Sequence, residues 1–161
     1  MKNTKGFTLM EMIVAIAILV LISTAMTSGL AVATRSYRDS VFHSDSEVLC
    51  DTLNTALSDV LRYAVFTGSA PDGTLLFAND QYNILSGGHF VNQDGRVYID
   101  TGGGMSEQVL VINTGSYVGL QVTGFILRYD AAVNTYSGEY VIGTQDGTMT
   151  KNCTFVYRSL R

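Results

Sequence analysis

Residues 12–34 carry no charged side chain, and residues 12–22 carry no polar side chain at all. As a helix, residues 12–34 would run about 34 Å at 1.5 Å per residue, against about 30 Å for the hydrocarbon core of a bilayer. Such a run needs lipid or other apolar helices around it. Lys2 and Lys5 precede it, so the positive-inside rule leaves the N-terminus in the cytoplasm and everything after Thr34 outside. Ser23, Thr24, Thr27, Ser28 and Gly29 weaken the membrane preference of its outer half.

The apolar run leads straight into an amphipathic one. The single proline is Pro71, so nothing earlier forces a helix to break. Leu49, Leu53, Leu57 and Leu61 recur every four residues, interleaved with Val41, Val48, Ala56, Val60 and Ala64. This is the spacing of one apolar helical stripe. Asp45, Glu47, Asp51, Asn54, Asp59 and Arg62 fall mostly off it. The pattern predicts one near-continuous helix from Phe7 to about Phe66, apolar all round at first and one-sided later.

Residues 67–161 are rich in Gly, Thr and Tyr. Residues 107–113 and 117–129 have high β content. Read as a strand, the second run points Val118, Leu120, Val122 and Ile126 to one side. Tyr136, Tyr140 and Ile142 alternate, as do Cys153, Phe155 and Tyr157. Asp94-Gly95 and Asp146-Gly147 are hairpin-turn signals. The expected fold class is α+β: a long N-terminal helix, transmembrane in its first half, packed on a C-terminal antiparallel sheet. The expected parts are residues 1–6 as a leader, 7–34 as the transmembrane half of the helix, and 35–161 as an exported domain. Within that domain residues 35–66 are the amphipathic helix and 67–161 the β-rich part.

The stretch Lys5-Gly6-Phe7-Thr8-Leu9-Met10-Glu11, with the apolar run behind it, resembles the N-terminal signature of type IV prepilins and type II secretion pseudopilins. The resemblance covers about the first 25 residues. It implies that a prepilin peptidase cuts between Gly6 and Phe7 and methylates the new amine of Phe7. It also implies that Glu11 pairs with the Phe7 amine of an adjacent subunit during assembly. Elementary electrostatics agrees: a carboxylate at the start of a membrane span is costly and rare without a task. A free amine at a helix N-terminus, beside the positive end of the helix dipole, needs a compensating anion.

The resemblance therefore implies a filament subunit, in a type IV pilus, a secretion pseudopilus or a DNA-uptake pilus. Its partners would be prepilin peptidase, other pilin subunits and the membrane. It would be a single-pass membrane precursor first and part of an extracellular filament afterwards. The absence of a proline in the outer first helix favours a minor pilin or pseudopilin over a major pilin. Glu11 argues against the tip pseudopilin, which typically lacks this glutamate. The alternative is a membrane-anchored binding module on the cell surface that never polymerises. An ordinary signal anchor fits less well, because Glu11 opens the apolar run and no small-residue cleavage site ends it.

Other residues are quieter. The net charge is −4 and no basic stripe exists, so direct nucleic-acid binding is not expected. His43 and His89 have no ligand-like neighbours, and the Asp residues of the turns lack calcium-loop spacing. Gly102-Gly103-Gly104 lacks the lysine of a phosphate loop. No nucleophile–base arrangement stands out, so the reading is non-enzymatic, with no cofactor and no metal. Cys50 and Cys153 are compatible with a disulfide from the helix to the last strand, or with two separate thiols.

The glycine at the predicted cleavage junction admits the backbone to a tight cleft. Gly6→Leu is expected to leave the precursor uncut. Intact-mass spectrometry of the membrane fraction checks this, and a species beginning at Phe7 in that variant would refute it.

Overall fold

The computed structural model describes residues 8–102 and 108–161. It contains one α-helix, α1 (Leu9–Leu61), followed by eight strands. These are β1 (Val65–Ser69), β2 (Leu75–Asn79), β3 (Ile84–Gln93), β4 (Arg96–Asp100), β5 (Gln108–Leu110), β6 (Leu120–Asp130), β7 (Thr135–Thr144) and β8 (Thr150–Arg158). The fold is α+β with a long N-terminal helix, as expected. The chain divides into two compact units, Met1–Phe42 and His43–Arg161.

In the first unit, α1 is exposed at every described residue up to Val41. The polar side chains of its apolar run are satisfied within the helix. Ser23 Oγ donates to the Leu19 carbonyl at 2.8 Å, Thr27 Oγ1 to Ser23 at 2.9 Å, and Ser28 Oγ to Thr24 at 3.0 Å. Such back-bonding hides a hydroxyl where no water is at hand. The helix runs unbroken through Ser28 and Gly29.

In the second unit, the leucine ladder is the core of the packing. Leu49, Leu53, Leu57 and Leu61 are all fully buried. Val41 and Val48, expected on the same stripe, are instead exposed, Val48 by 61%. At about 100° per residue, Val48 stands a quarter-turn away from Leu49. It falls on the flank that carries Glu47 rather than on the buried face.

The helix stops at Leu61, short of the expected end near Phe66, and Phe66 already lies in β1. No glycine caps it. The Leu61 carbonyl accepts from the nearby Ala64 amide at 3.2 Å, while distant groups serve its neighbours: Asn79 Nδ2 donates to Val60 at 2.6 Å, and the Leu160 amide to Arg62, one residue past the helix, at 2.9 Å. Ser159 Oγ donates to the Ala64 carbonyl at 2.9 Å. The stop is tertiary, which is why local sequence does not reveal it.

One sheet was expected and two form. The strand orders are β1-β2-β3-β4-β5 and β6-β7-β8, all antiparallel. The break lies at residues 114–119. Thr114–Tyr117 turns as a 3-10 helix, and Val118 and Gly119 follow with φ of 44° and 75°. Residues 117–119 thus lie outside the strand predicted for 117–129, and Val118 is exposed. β5 is likewise shorter than predicted, and Glu107 lies outside the described residues.

The break is bridged by polar contacts. The Val97 amide donates to Tyr117 Oη at 3.0 Å, Asn92 Nδ2 to the Val122 carbonyl at 3.1 Å, and the Val122 amide to Gly95 at 2.7 Å. Asp94-Gly95 makes the expected two-residue hairpin: Gln93 pairs with Arg96, and both turn residues have positive φ, 51° and 71°. That is the turn whose twist matches the strands.

Side-chain parity in β6 changes midway. The register shifts between Thr123 and Ile126, a bulge that reverses which residues face inward. Val122 is buried as predicted, but Ile126 is exposed, and Leu127 and Tyr129 pack on the core instead. In β7 the alternation holds as far as Ile142, with Tyr136, Tyr140 and Ile142 buried.

Asn79→Ala removes the donor to a buried helix carbonyl. It is expected to destabilise the protein by about 1–3 kcal/mol, measured as a lowered denaturant midpoint in detergent solution. An unchanged midpoint would show that the helix end does not depend on this contact.

Candidate functional site

The chemistry-bearing residues at the start of α1 form a defined local structure. Thr8 occupies the N-cap position and Glu11 the third helical position. The Glu11 carboxylate accepts from the Thr8 amide at 2.9 Å and from Thr8 Oγ1 at 2.9 Å, both through Oε2. In return the Glu11 amide donates to Thr8 Oγ1 at 3.3 Å. This is a capping box, in which two otherwise orphaned amides are satisfied reciprocally. The carboxylate also stands at the positive end of the helix dipole.

The Thr-x-x-Glu spacing was visible in the sequence. Glu11 stands out in the sequence by its charge, whereas the role of Thr8 emerges only with the structure, although the capping-box pattern is its signal. Gly6 and Phe7, the expected cleavage junction, lie outside the described residues.

Behind this cap, α1 is the one helix among the described residues long and apolar enough to cross a membrane. Leu9, Met10, Leu19, Leu21 and Met26 are each more than 60% exposed. An apolar surface uncovered on every side is suited to a membrane or to packing against other apolar helices.

The comparisons with known proteins bear on this segment. Residues 1–27 match the model of the prokaryotic N-terminal methylation motif. This motif is the type IV prepilin signal. It supports a type IV pilin-like or pseudopilin precursor anchored in the membrane, and what it implies for such a precursor is processing by prepilin peptidase and association with other pilins. The motif belongs to families of structural subunits. No curated protein and no solved structure matches the chain.

Elsewhere the structure brings Cys50, on α1, and Cys153, on β8, together. Their Cα atoms are 6.2 Å apart and their sulfurs meet, which is within disulfide reach. Around them, Tyr140 Oη donates to Asn54 Oδ1 at 2.9 Å, and Asn54 Nδ2 donates to Cys50 Sγ at 3.7 Å. Burial pushes the Tyr140 hydroxyl well above its ordinary range.

His43 is exposed and His89 half-buried. Among the described residues no group of three or more His, Cys, Asp or Glu side chains could hold a metal ion. Asp72 and Asp146 serve as turn acceptors. A hydrogen bond from the Thr74 amide holds Asp72 below the usual carboxylate range, and bonds from Thr144 Oγ1 and then the Thr148 amide do so for Asp146. Gly102 precedes residues outside the described set, which include Gly103 and Gly104.

Thr8→Ala should weaken the cap by about 0.5–2 kcal/mol, while Thr8→Ser should retain it. Amide hydrogen exchange in detergent micelles checks this: residues 9–12 should exchange faster in the alanine variant only. Equal exchange in both variants would mean that the hydroxyl does not hold the helix start.

Proposed function

We propose that this protein is a structural subunit, a minor pilin or pseudopilin, of a type IV pilus-like extracellular filament. In this reading prepilin peptidase cuts between Gly6 and Phe7, and Phe7 is N-methylated. The processed chain then leaves the membrane by packing its apolar helix against the helices of other subunits. The alternative of a membrane-anchored module that never polymerises has no feature of its own in its favour.

The observation that carries the proposal is the coincidence at one helix end. A carboxylate, Glu11, is locked by the capping box at the mouth of a helix whose apolar surface is uncovered through residue 41. It lies within the matched motif. A carboxylate in that position is costly in lipid. It becomes favourable when a neighbour's Phe7 amine enters the same low-dielectric surroundings, where an unpaired charge is heavily penalised. Thr8 engages Oε2 and fixes the rotamer of the side chain, so the carboxylate is preoriented before a neighbour arrives. Pairing of this kind would select the axial register of one subunit against the next. No cofactor and no nucleic acid enters this reading, and no catalytic role is assigned.

Glu11→Ala should leave cleavage at Gly6 intact and lower the amount of protein in sheared surface filaments about tenfold or more, the factor that about 1.4 kcal/mol represents. Mass spectrometry of the membrane form and blotting of the sheared fraction report the two steps separately. Normal incorporation of the variant would remove Glu11 from assembly. Wild-type protein confined to membranes under all conditions would favour the non-polymerising module.

A further inference from the structure

We infer that Cys50 and Cys153 form a staple that closes only after export, with Cys50 as the thiol through which oxidation enters. The export part rests on the proposed function, which puts residues 43–161 outside the cytoplasm. The order of reaction rests on geometry alone.

Cys50 lies on α1 and Cys153 on β8, 103 residues apart in sequence. Strands β1 to β7 all lie between them. β8 is an outer strand of its sheet and, among the described residues, pairs with β7 alone. A bond here would therefore tie the core face of the last strand to the helix and close a loop around almost the whole β part. Constraining so long a loop removes much of the freedom of the unfolded chain. In a reducing cytoplasm the pair stays as two thiols, and in an oxidising compartment it closes.

The two cysteines are not equivalent. Cys153 is 2% exposed, whereas Cys50 is half-buried at the edge of the core. Asn54 Nδ2 is directed at Cys50 Sγ, and Tyr140 Oη holds the Asn54 amide in that orientation. A donor aimed at sulfur favours the thiolate, which is the attacking form.

The oxidant is a disulfide-bearing thiol oxidase or a small disulfide. The Cys50 thiolate attacks one of its sulfurs, giving a mixed disulfide and expelling the first thiolate, which takes up the proton lost from Cys50. The Cys153 thiolate then attacks Cys50 Sγ, forming the Cys50–Cys153 bond and expelling the second thiol with the proton from Cys153. Two protein thiols are oxidised, and the disulfide of the oxidant is reduced to two thiols.

Two measurements test this on the full chain. Exported protein alkylated without reduction should show neither cysteine modified. Its unfolded-to-folded ratio at fixed denaturant should rise roughly a hundredfold when it is then reduced. In the second, the reduced wild-type chain, folded in detergent, is pulsed with a small alkylating agent. Peptide mass mapping should find Cys50 modified about tenfold or more faster than Cys153, with the difference lost in denaturant. Cys153→Ser treated with oxidised glutathione should hold one glutathione, on Cys50. Two alkylated cysteines in exported protein would overturn the staple, and equal rates in the folded chain would overturn the entry thiol. The mass of the exported species reports independently whether cleavage at Gly6 occurred. A cleaved chain with free thiols therefore sinks this inference alone, and a bonded but uncleaved chain sinks only the processing reading.

Discussion

The i, i+4 ladder of Leu49, Leu53, Leu57 and Leu61 is the contact on which the His43–Arg161 unit is built. Each of these side chains is fully buried, and burying a leucine contributes about 1.5–3 kcal/mol relative to leaving it exposed. Both sheets contribute to the same cluster: Phe77, Phe90, Val97 and Ile99 from one, Val122, Tyr136, Tyr140, Ile142 and Phe155 from the other. Neither sheet could bury its apolar face unaided. The three-stranded sheet in particular is small for independent stability.

Burial alone would leave the helix free to slide along the sheets. Polar contacts made at single points fix its register. Tyr140 Oη donates to Asn54 Oδ1 at 2.9 Å, and Tyr157 Oη donates to the Asn54 carbonyl at 2.7 Å. At and just past the helix end, Asn79, Leu160 and Ser159 donate to the carbonyls of Val60, Arg62 and Ala64. An ion pair, Lys151 with Glu47 at 2.5 Å, links β8 to the exposed flank of the helix near the other end of the packed segment. Apolar area supplies the free energy in this arrangement. Hydrogen bonds to buried carbonyls supply the specificity, because each would be costly to leave unmade.

What the sequence disclosed follows from how local the cause was. The long helix, the leucine ladder, the alternation in β7 and the Asp94-Gly95 turn each arise from residues a few positions apart, and each was readable. The helix stop at Leu61 was not, because the side chains and amides that hold the chain at and just past it come from residues 79, 159 and 160. Two sheets replaced one because Val118 and Gly119 adopt positive φ, a conformation that valine rarely takes and that no propensity suggests. The β6 bulge reversed the face of Ile126, since one shift in pairing exchanges inside for outside. At the candidate site, Glu11 stood out through its charge in an apolar setting. Thr8 did not, although the capping box had left its spacing in the sequence.

The two halves of α1 resolve the same physical problem by opposite means. From Leu49 onward the polar groups of the helix end are met by other parts of the chain, and the apolar stripe is met by strands. In the first unit, the hydroxyls turn inward onto the helix backbone and the apolar side chains are left bare. Back-bonded hydroxyls also occur further along, at Ser40, Thr52 and Thr55, so the bare apolar side chains are what set this segment apart from a helix meant for water. The segment is therefore self-sufficient in hydrogen bonds and deficient in apolar contact, which is the condition of a helix whose surroundings are hydrocarbon. Glu11 and Thr8 are the point where that condition ends. The capping box satisfies the Thr8 and Glu11 amides without water, and in the proposed assembly the charge it holds is met by a cation from outside this helix.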